Sequence, residues 1–288
     1  MANHLKGLIA LVTGASRGAG RGIARELGTA GATVYVSGRS VEAASTTDGV
    51  PGTIDGTARQ VTELGGHGIH VRCDHTVDAQ VEALFEQIRR DHGRLDLLVN
   101  NAWGGYENPA CRPLPVVPFW EQPLQQWDLM FTAGVRANVV ASRLAIPLMQ
   151  TQRHGLIVST TANLDVLPYV RNLFYDLAKQ AVTRLTWAMA SELREHGIAV
   201  VALAPGFMRT ERIVEAFRRA GAEAALDGPG GPKETTAYLG RAVVALASDQ
   251  RVIDKSGQLL EVGSLAREYG FTDLDGSQPP PFRIPTAG

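Results

Sequence analysis

The sequence predicts a three-layer, doubly wound α/β fold on a mostly parallel sheet of seven strands. Three observations predict it. Short unbroken apolar runs recur along the chain, as strands buried on both faces require. Segments with a helical apolar stripe alternate with those runs, the pattern of a parallel sheet with crossover helices. The first run passes directly through a glycine-rich turn, Thr13-Gly14-Ala15-Ser16-Arg17-Gly18-Ala19-Gly20, into a helix.

At 288 residues and 44% hydrophobic, the chain is long enough for one sizeable α/β domain or two small ones, and residues 1–288 are read as one. A net charge of −1 gives no ground for a nucleic-acid or membrane-surface partner. The stretch Met1–Lys6 lacks the apolar run of a signal peptide, and no window reaches the ~18 unbroken apolar residues of a membrane span. Cys73 and Cys111 sit in unlike contexts and are expected as thiols. A soluble, cytoplasmic protein with no metal site is the expectation.

Leu8–Val12 is the first strand and Ile23 and Leu27 begin the stripe of the first helix. Glycines between a buried strand and a helix let the backbone approach a pyrophosphate, which the helix N-terminus attracts. The second strand, Thr33–Ser37, ends at Gly38-Arg39-Ser40. A dinucleotide fold places here an acidic residue for a ribose 2′-hydroxyl or an arginine for a 2′-phosphate. No Asp or Glu is present, and Arg39, with Arg17 in the glycine loop, suits the phosphate. Residues 41–56 read as loop, Ile54–Leu64 as helix and Gly68–Cys73 as strand. Asp74 at that strand's end fits two readings, an acceptor for an adenine amino group or the N-cap of the next helix. That helix carries the stripe Val81, Leu84, Phe85, Ile88.

A fourth strand, Leu95–Val99, ends in Asn100-Asn101-Ala102-Trp103. The loop near 103–120 holds four prolines with Tyr106, Phe119 and Trp120, and its length marks it as a substrate element. Trp120 and Trp127 are expected in the core. A helix through Val135, Val139, Leu144 and Leu148 leads to the strand Gly155–Thr161. The strand Ile198–Leu203 meets Pro205-Gly206-Phe207-Met208-Arg209-Thr210, and the stretch near 207–232 suits a lid. The helix Tyr238–Ala247 and a strand near 258–262 complete the sheet, followed by a Pro-rich tail near 264–288.

Chemistry concentrates at Tyr175-Asp176-Leu177-Ala178-Lys179, where one helical turn sets a phenol and an ammonium on one face. A free tyrosine, with a pKa of about 10, is a poor acid or base near neutrality. A positive charge ~4 Å away is worth roughly 4 kcal/mol at an effective dielectric near 20, enough to bring it into range.

These motifs together resemble the short-chain dehydrogenase/reductase family, over nearly the whole chain from about Lys6 to Val262. The matches are Thr13-Gly14 with Gly18 and Gly20, Asp74, Asn100-Asn101-Ala102, Tyr175 with Lys179, and Pro205-Gly206 with Thr210. Phe119–Pro123 with Trp127-Asp128, and the tail Leu265–Gly270 with Asp273, Asp275 and Gly276, resemble its member 1 type. The resemblance implies a Rossmann fold and a hydride transfer between NADP(H) and a carbonyl or alcohol substrate, with a homodimer or homotetramer as the working form. It makes Tyr175 the proton donor or acceptor and gives Lys179 the nicotinamide ribose. Gly14, Ser16, Arg17, Ala19 and Arg39 would line the adenosine-phosphate side. Asp74 and His75 would face adenine, Asn101 and Ala102 the ribose, and Pro205, Gly206, Met208 and Thr210 the nicotinamide.

Three positions depart from the family pattern. Ala162 and Asn163 stand where its catalytic serine usually falls, so a hydroxyl comes from Thr161 or Thr160, or the site lacks one. Gly134 stands where it places an asparagine, and Trp103 where a glycine is common. The aromatic loop residues Trp103, Tyr106 and Phe119 suggest a flat or bulky apolar substrate. A catalytically weak nucleotide-binding regulator or scaffold of the same fold is the rival reading, and an epimerase or dehydratase a second.

Overall fold

Leu11, Val12 and Ala10 are wholly buried and Ile9 nearly so, because β1 (Ile9–Val12) lies mid-sheet with helices over both faces. The computed structural model describes residues 4–42, 46–47, 49–105, 117–167, 169–228 and 230–283. The other strands are β2 (Thr33–Gly38), β3 (His67–Arg72), β4 (Leu97–Asn100), β5 (Gly155–Thr160), β6 (Ile198–Ala204) and β7 (Leu259–Glu261). They form one seven-stranded sheet in the order β3-β2-β1-β4-β5-β6-β7, and every pairing is parallel rather than most of them.

Alternate side chains of each inner strand feed two cores. Ala10 and Val12 pack with α1 (Gly18–Thr29), α2 (Ile54–Glu63), and the later helices α8 (Thr236–Ser248) and α9 (Val262–Tyr269). Ile9 and Leu11 pack with α3 (Asp78–His92), α5 (Ala137–Gln150) and α6 (Leu173–Leu193) on the opposite face. The sheet order reverses between β1 and β4, so a crevice opens at their carboxyl ends, where open α/β sheets bind ligands.

The long helix before β5 is composite. α4 (Gln125–Phe131) passes through a π turn, Thr132–Arg136, into α5. Residues 125–150 are long and apolar enough to span a membrane by length and composition, and Met130, Ala137, Ala141 and Ala145 of that helix are buried in the protein's cores. α7 (Glu211–Arg219) lies in the segment read as a lid and contributes no buried residue.

Two expectations are corrected here. Trp120 is 72% exposed on a short 3₁₀ turn, Phe119–Glu121, and Trp127 is exposed and stacks on Phe131, so neither is core. Helical spacing in so short a stretch does not fix which side faces in. Asp74 does not cap α3, whose N-cap is Val77; its Oδ1 accepts from the amide and hydroxyl of Thr76 instead. Tyr106 and Cys111 lie outside the described residues.

Candidate active site

A cavity of about 730 Å³ opens at the switch point, running from Arg17, Arg39 and Ser40 at one end to Tyr175 and Lys179 at the other. Ser16, Ala19, Asp74, His75, Asn101, Ala102, Thr160, Thr161, Pro205, Gly206, Met208 and Thr210 also line it, so residues from every part of the chain meet there.

The glycine loop is shaped by close approach. Gly14 sits at φ +64°, and a Cβ on it would lie 2.8 Å from Ala102 Cα. A Cβ on Gly20 would lie 2.5 Å from Asn101 Nδ2. That amide explains the packing: Asn101 Nδ2 donates to the carbonyls of Thr13 and Gly14 at 3.0 and 3.1 Å. The backbone amides of Asn101 and Ala102 both donate to Thr13 Oγ1. The asparagine's NH₂ group therefore braces the loop from β4.

At the first turn of α1 the amide of Gly18 donates to Glu211 Oε2 at 2.7 Å, and Arg21 pairs with Oε1 at 3.3 Å. A carboxylate thus stands at the helix N-terminus, where dipole and free amides attract anions. Arg17, the N-cap residue, reaches across to Ser40 Oγ and the Gly52 carbonyl, both at 2.9 Å. Arg39 pairs with Asp74 at 3.5 Å; burial pushes that carboxyl up, but hydrogen bonds from Thr76 and the Arg39 charge together outweigh it and hold it below its usual range. His75 borders the cavity with its imidazole buried and hydrogen-bonded to Ser37 Oγ at 2.9 Å. Burial lowers its pKa to about 4 and keeps it neutral.

At the other end Asn172 caps α6, accepting from the amide of Tyr175 at 2.9 Å, and so fixes the helix start that presents Tyr175 and Lys179. Lys179 Nζ lies 5.8 Å from the Tyr175 ring centroid and 4.0 Å from that of Trp103. Desolvation brings its pKa down to about 8. The Thr161 hydroxyl donates to the carbonyl of Lys179 at 2.9 Å, and Thr160 to that of Asn100 at 3.4 Å. Thr161 thus commits its proton to the backbone of α6 and offers a ligand only lone pairs. Thr210 accepts from the Ile213 amide as N-cap of α7.

Three features were not read from the sequence. Glu211 was missed, although it follows Thr210 at a helix start. Phe119 is exposed and outside the cavity, whose apolar wall comes instead from Leu164, Leu167, Val170, Phe207 and Ile213. Phe282 also lines it. The tail carrying Phe282 is held by Tyr238, whose hydroxyl donates to the Pro279 carbonyl at 3.0 Å, and by an Arg283–Glu261 pair at 2.6 Å.

A tyrosine–lysine pair beside a glycine-lined crevice is the site of a dinucleotide oxidoreductase, and the chain belongs to the short-chain dehydrogenase family, whose model matches residues 8–220. It is similar to "Dehydrogenase/reductase SDR family member 1" of Homo sapiens, with 38% identity covering 96% of this chain and 86% of the relative. The Mus musculus counterpart is 37% identical over the same shares. A crystal structure of hydroxysteroid dehydrogenase from Escherichia coli superimposes with a TM-score of 0.68 at 27% identity, covering 90% of this chain and 96% of that one. The family uses a nicotinamide cofactor, NAD or NADP. The residues present fit one: the loop is too close-packed for side chains at Gly14 and Gly20, and the Gly18 amide already holds an anionic group.

Proposed function

We propose that this protein is an NADP(H)-dependent oxidoreductase that interconverts a carbonyl compound and a secondary alcohol with an apolar body. The observation that carries the reading is the single cavity joining Arg17, Arg39 and Ser40 to Tyr175 and Lys179. Gly14, Gly18 and Ala19 would hold the pyrophosphate, with Gly20 leaving room for the Asn101 amide that braces the loop, the two arginines and Ser16 the adenosine phosphate, and Asp74 the adenine. Pro205, Gly206, Met208 and Thr210 would border the nicotinamide. When bound, the reduced nicotinamide supplies the hydride to the carbonyl carbon.

Tyr175 then gives its phenolic proton to the carbonyl oxygen as that atom gains charge, and takes it back in oxidation. Lys179, cationic near neutrality, stabilises the phenolate left behind. Thr161, its proton engaged by the Lys179 carbonyl, holds the turn of α6 that carries the ammonium. The lining by Leu164, Leu167, Val170 and Phe207 favours an alicyclic or aromatic ketone over a small polar sugar. The hydroxysteroid dehydrogenase likeness points the same way.

The cytoplasm is the proposed setting. A homodimer or homotetramer is the proposed working form, supported by the exposed apolar side chains Leu177 and Trp187 on α6. The deciding experiment follows reduced-nicotinamide absorbance with NADPH and NADH across a panel of ketones, aldehydes and quinones. Turnover of apolar ketones with NADPH is expected. Tight NADPH binding with no turnover of any class would favour the nucleotide-binding scaffold.

A further inference from the structure

We infer that Trp103 is a positioning residue for Lys179: its indole face holds the ammonium, and Gly134 exists as glycine to give that indole room. The Lys179 Nζ stands 4.0 Å from the centroid of the Trp103 ring, within the range of a cation–π contact. Among the described residues Lys179 forms no ion pair, and burial is what moves its pKa, to about 8. The indole face, nearer than the Tyr175 ring at 5.8 Å, is therefore the main group among the described residues that favours the charged form in this low-dielectric place.

The ring is itself fixed from three sides. It meets Tyr175 edge-on, with centroids 5.8 Å apart and planes at 84°. A Cβ on Gly134 would lie 2.5 Å from its Cζ3, and one on Gly105 would lie 2.8 Å from its Cζ2. Gly134 belongs to the π turn Thr132–Arg136, which interrupts the long helix at the point where the ring abuts it. π turns concentrate at functional sites. One aromatic side chain thus touches both members of the tyrosine–lysine pair, and a glycine on another helix is shaped to admit it.

The inference deepens the proposed function and rests on it for the role of Lys179, so its test has a readout apart from turnover. In protein labelled with ¹³C-lysine the chain's few lysines give separate side-chain signals, and the signal lost in Lys179→Arg identifies Lys179. Its ε-methylene protons are expected upfield, shifted by the indole ring current. In Trp103→Leu that shift should vanish, and the titration midpoint of the signal should fall by about half to one unit, since the favourable face is gone. Trp103→Phe, which keeps an aromatic face, should retain most of the shift and stay within about threefold of parental kcat, whereas Trp103→Leu falls about tenfold. Gly134→Ala should displace the indole and reproduce Trp103→Leu. The double variant should fall no further than either single one, the mark of a shared contact. Melting temperatures identify any variant that merely unfolds, and Trp103→Phe covers that case. An unshifted Lys179 signal in the parent overturns the inference. So does an unchanged midpoint in Trp103→Leu, or losses in Trp103→Leu and Gly134→Ala that multiply. If no substrate turns over, the proposed function fails while the lysine signals still decide this contact.

Discussion

The Gly18 amide donates to the Glu211 carboxylate at 2.7 Å, joining the first turn of α1 to the first turn of α7. A dinucleotide that places its pyrophosphate on that amide must displace the carboxylate. Glu211→Gln removes the competing charge, so NADPH affinity should rise about three- to tenfold, the scale of one charge-assisted hydrogen bond at a helix end. Calorimetric titration checks this. An unchanged affinity would mean that Glu211 moves aside at no cost, and a weaker one that its carboxylate supports binding; either contradicts the competition.

Arg39 sits between Asp74 and the mouth of the cavity, with about a third of its side chain exposed. If it meets a 2′-phosphate, Arg39→Ala should weaken NADPH binding by about 1.5–3 kcal/mol and leave NADH nearly unchanged. Tighter binding of NADH than NADPH by the unaltered protein would contradict the cofactor assignment.

Tyr175→Phe keeps the ring packed on Trp103 and keeps Lys179, so cofactor binding should persist. Turnover should fall roughly 10²–10⁴-fold, the usual share of a positioned acid or base. Thr161→Ala should cost less than about tenfold, because its proton already serves the α6 backbone rather than a ligand. Steady-state kinetics on both variants separates the roles. Activity that survives intact in Tyr175→Phe would remove the tyrosine mechanism.

Glu234 is 3% exposed and accepts the Gly206 amide at 2.8 Å. Burial raises its pKa to about 7 from an ordinary 4.5; the Gly206 hydrogen bond opposes the rise and the Asp273 charge adds to it. The folded pKa lies above the unfolded one, so the unfolded chain releases this proton first. Stability should therefore fall as pH rises from 4.5 toward about 7. Glu234→Gln should abolish that slope and gain on the parent by up to about 3 kcal/mol above neutrality. Urea unfolding at about pH 5 and pH 8 measures it, and a constant difference between the two proteins would refute the shift.

The sheet was legible because inner parallel strands are buried on both faces, which writes continuous apolar runs such as Leu97–Val99 into the chain. The glycine loop and the tyrosine–lysine pair were legible because their chemistry is local, within one turn or one helix. What escaped was contact between distant segments. Nothing near Glu211 announces Gly18, and nothing near Gly134 announces the indole of Trp103. Trp120 and Trp127 misled for the converse reason, since apolar character does not say which surface a short segment offers. The alternative of Asp74 as a helix cap failed because the turn it closes on Thr76 ends before α3 begins at Asp78.

Phe282 lines the cavity from beyond the last strand, far along the chain from the glycine loop that lines it too. The core beneath the glycine loop also waits on late residues, since α8 and α9 pack on β1 and α1, so both ends of the crevice depend on the last part of the chain. A truncation that removes Phe282 would take away part of that lining, so the length of the tail becomes a variable in any assay of what the cavity admits.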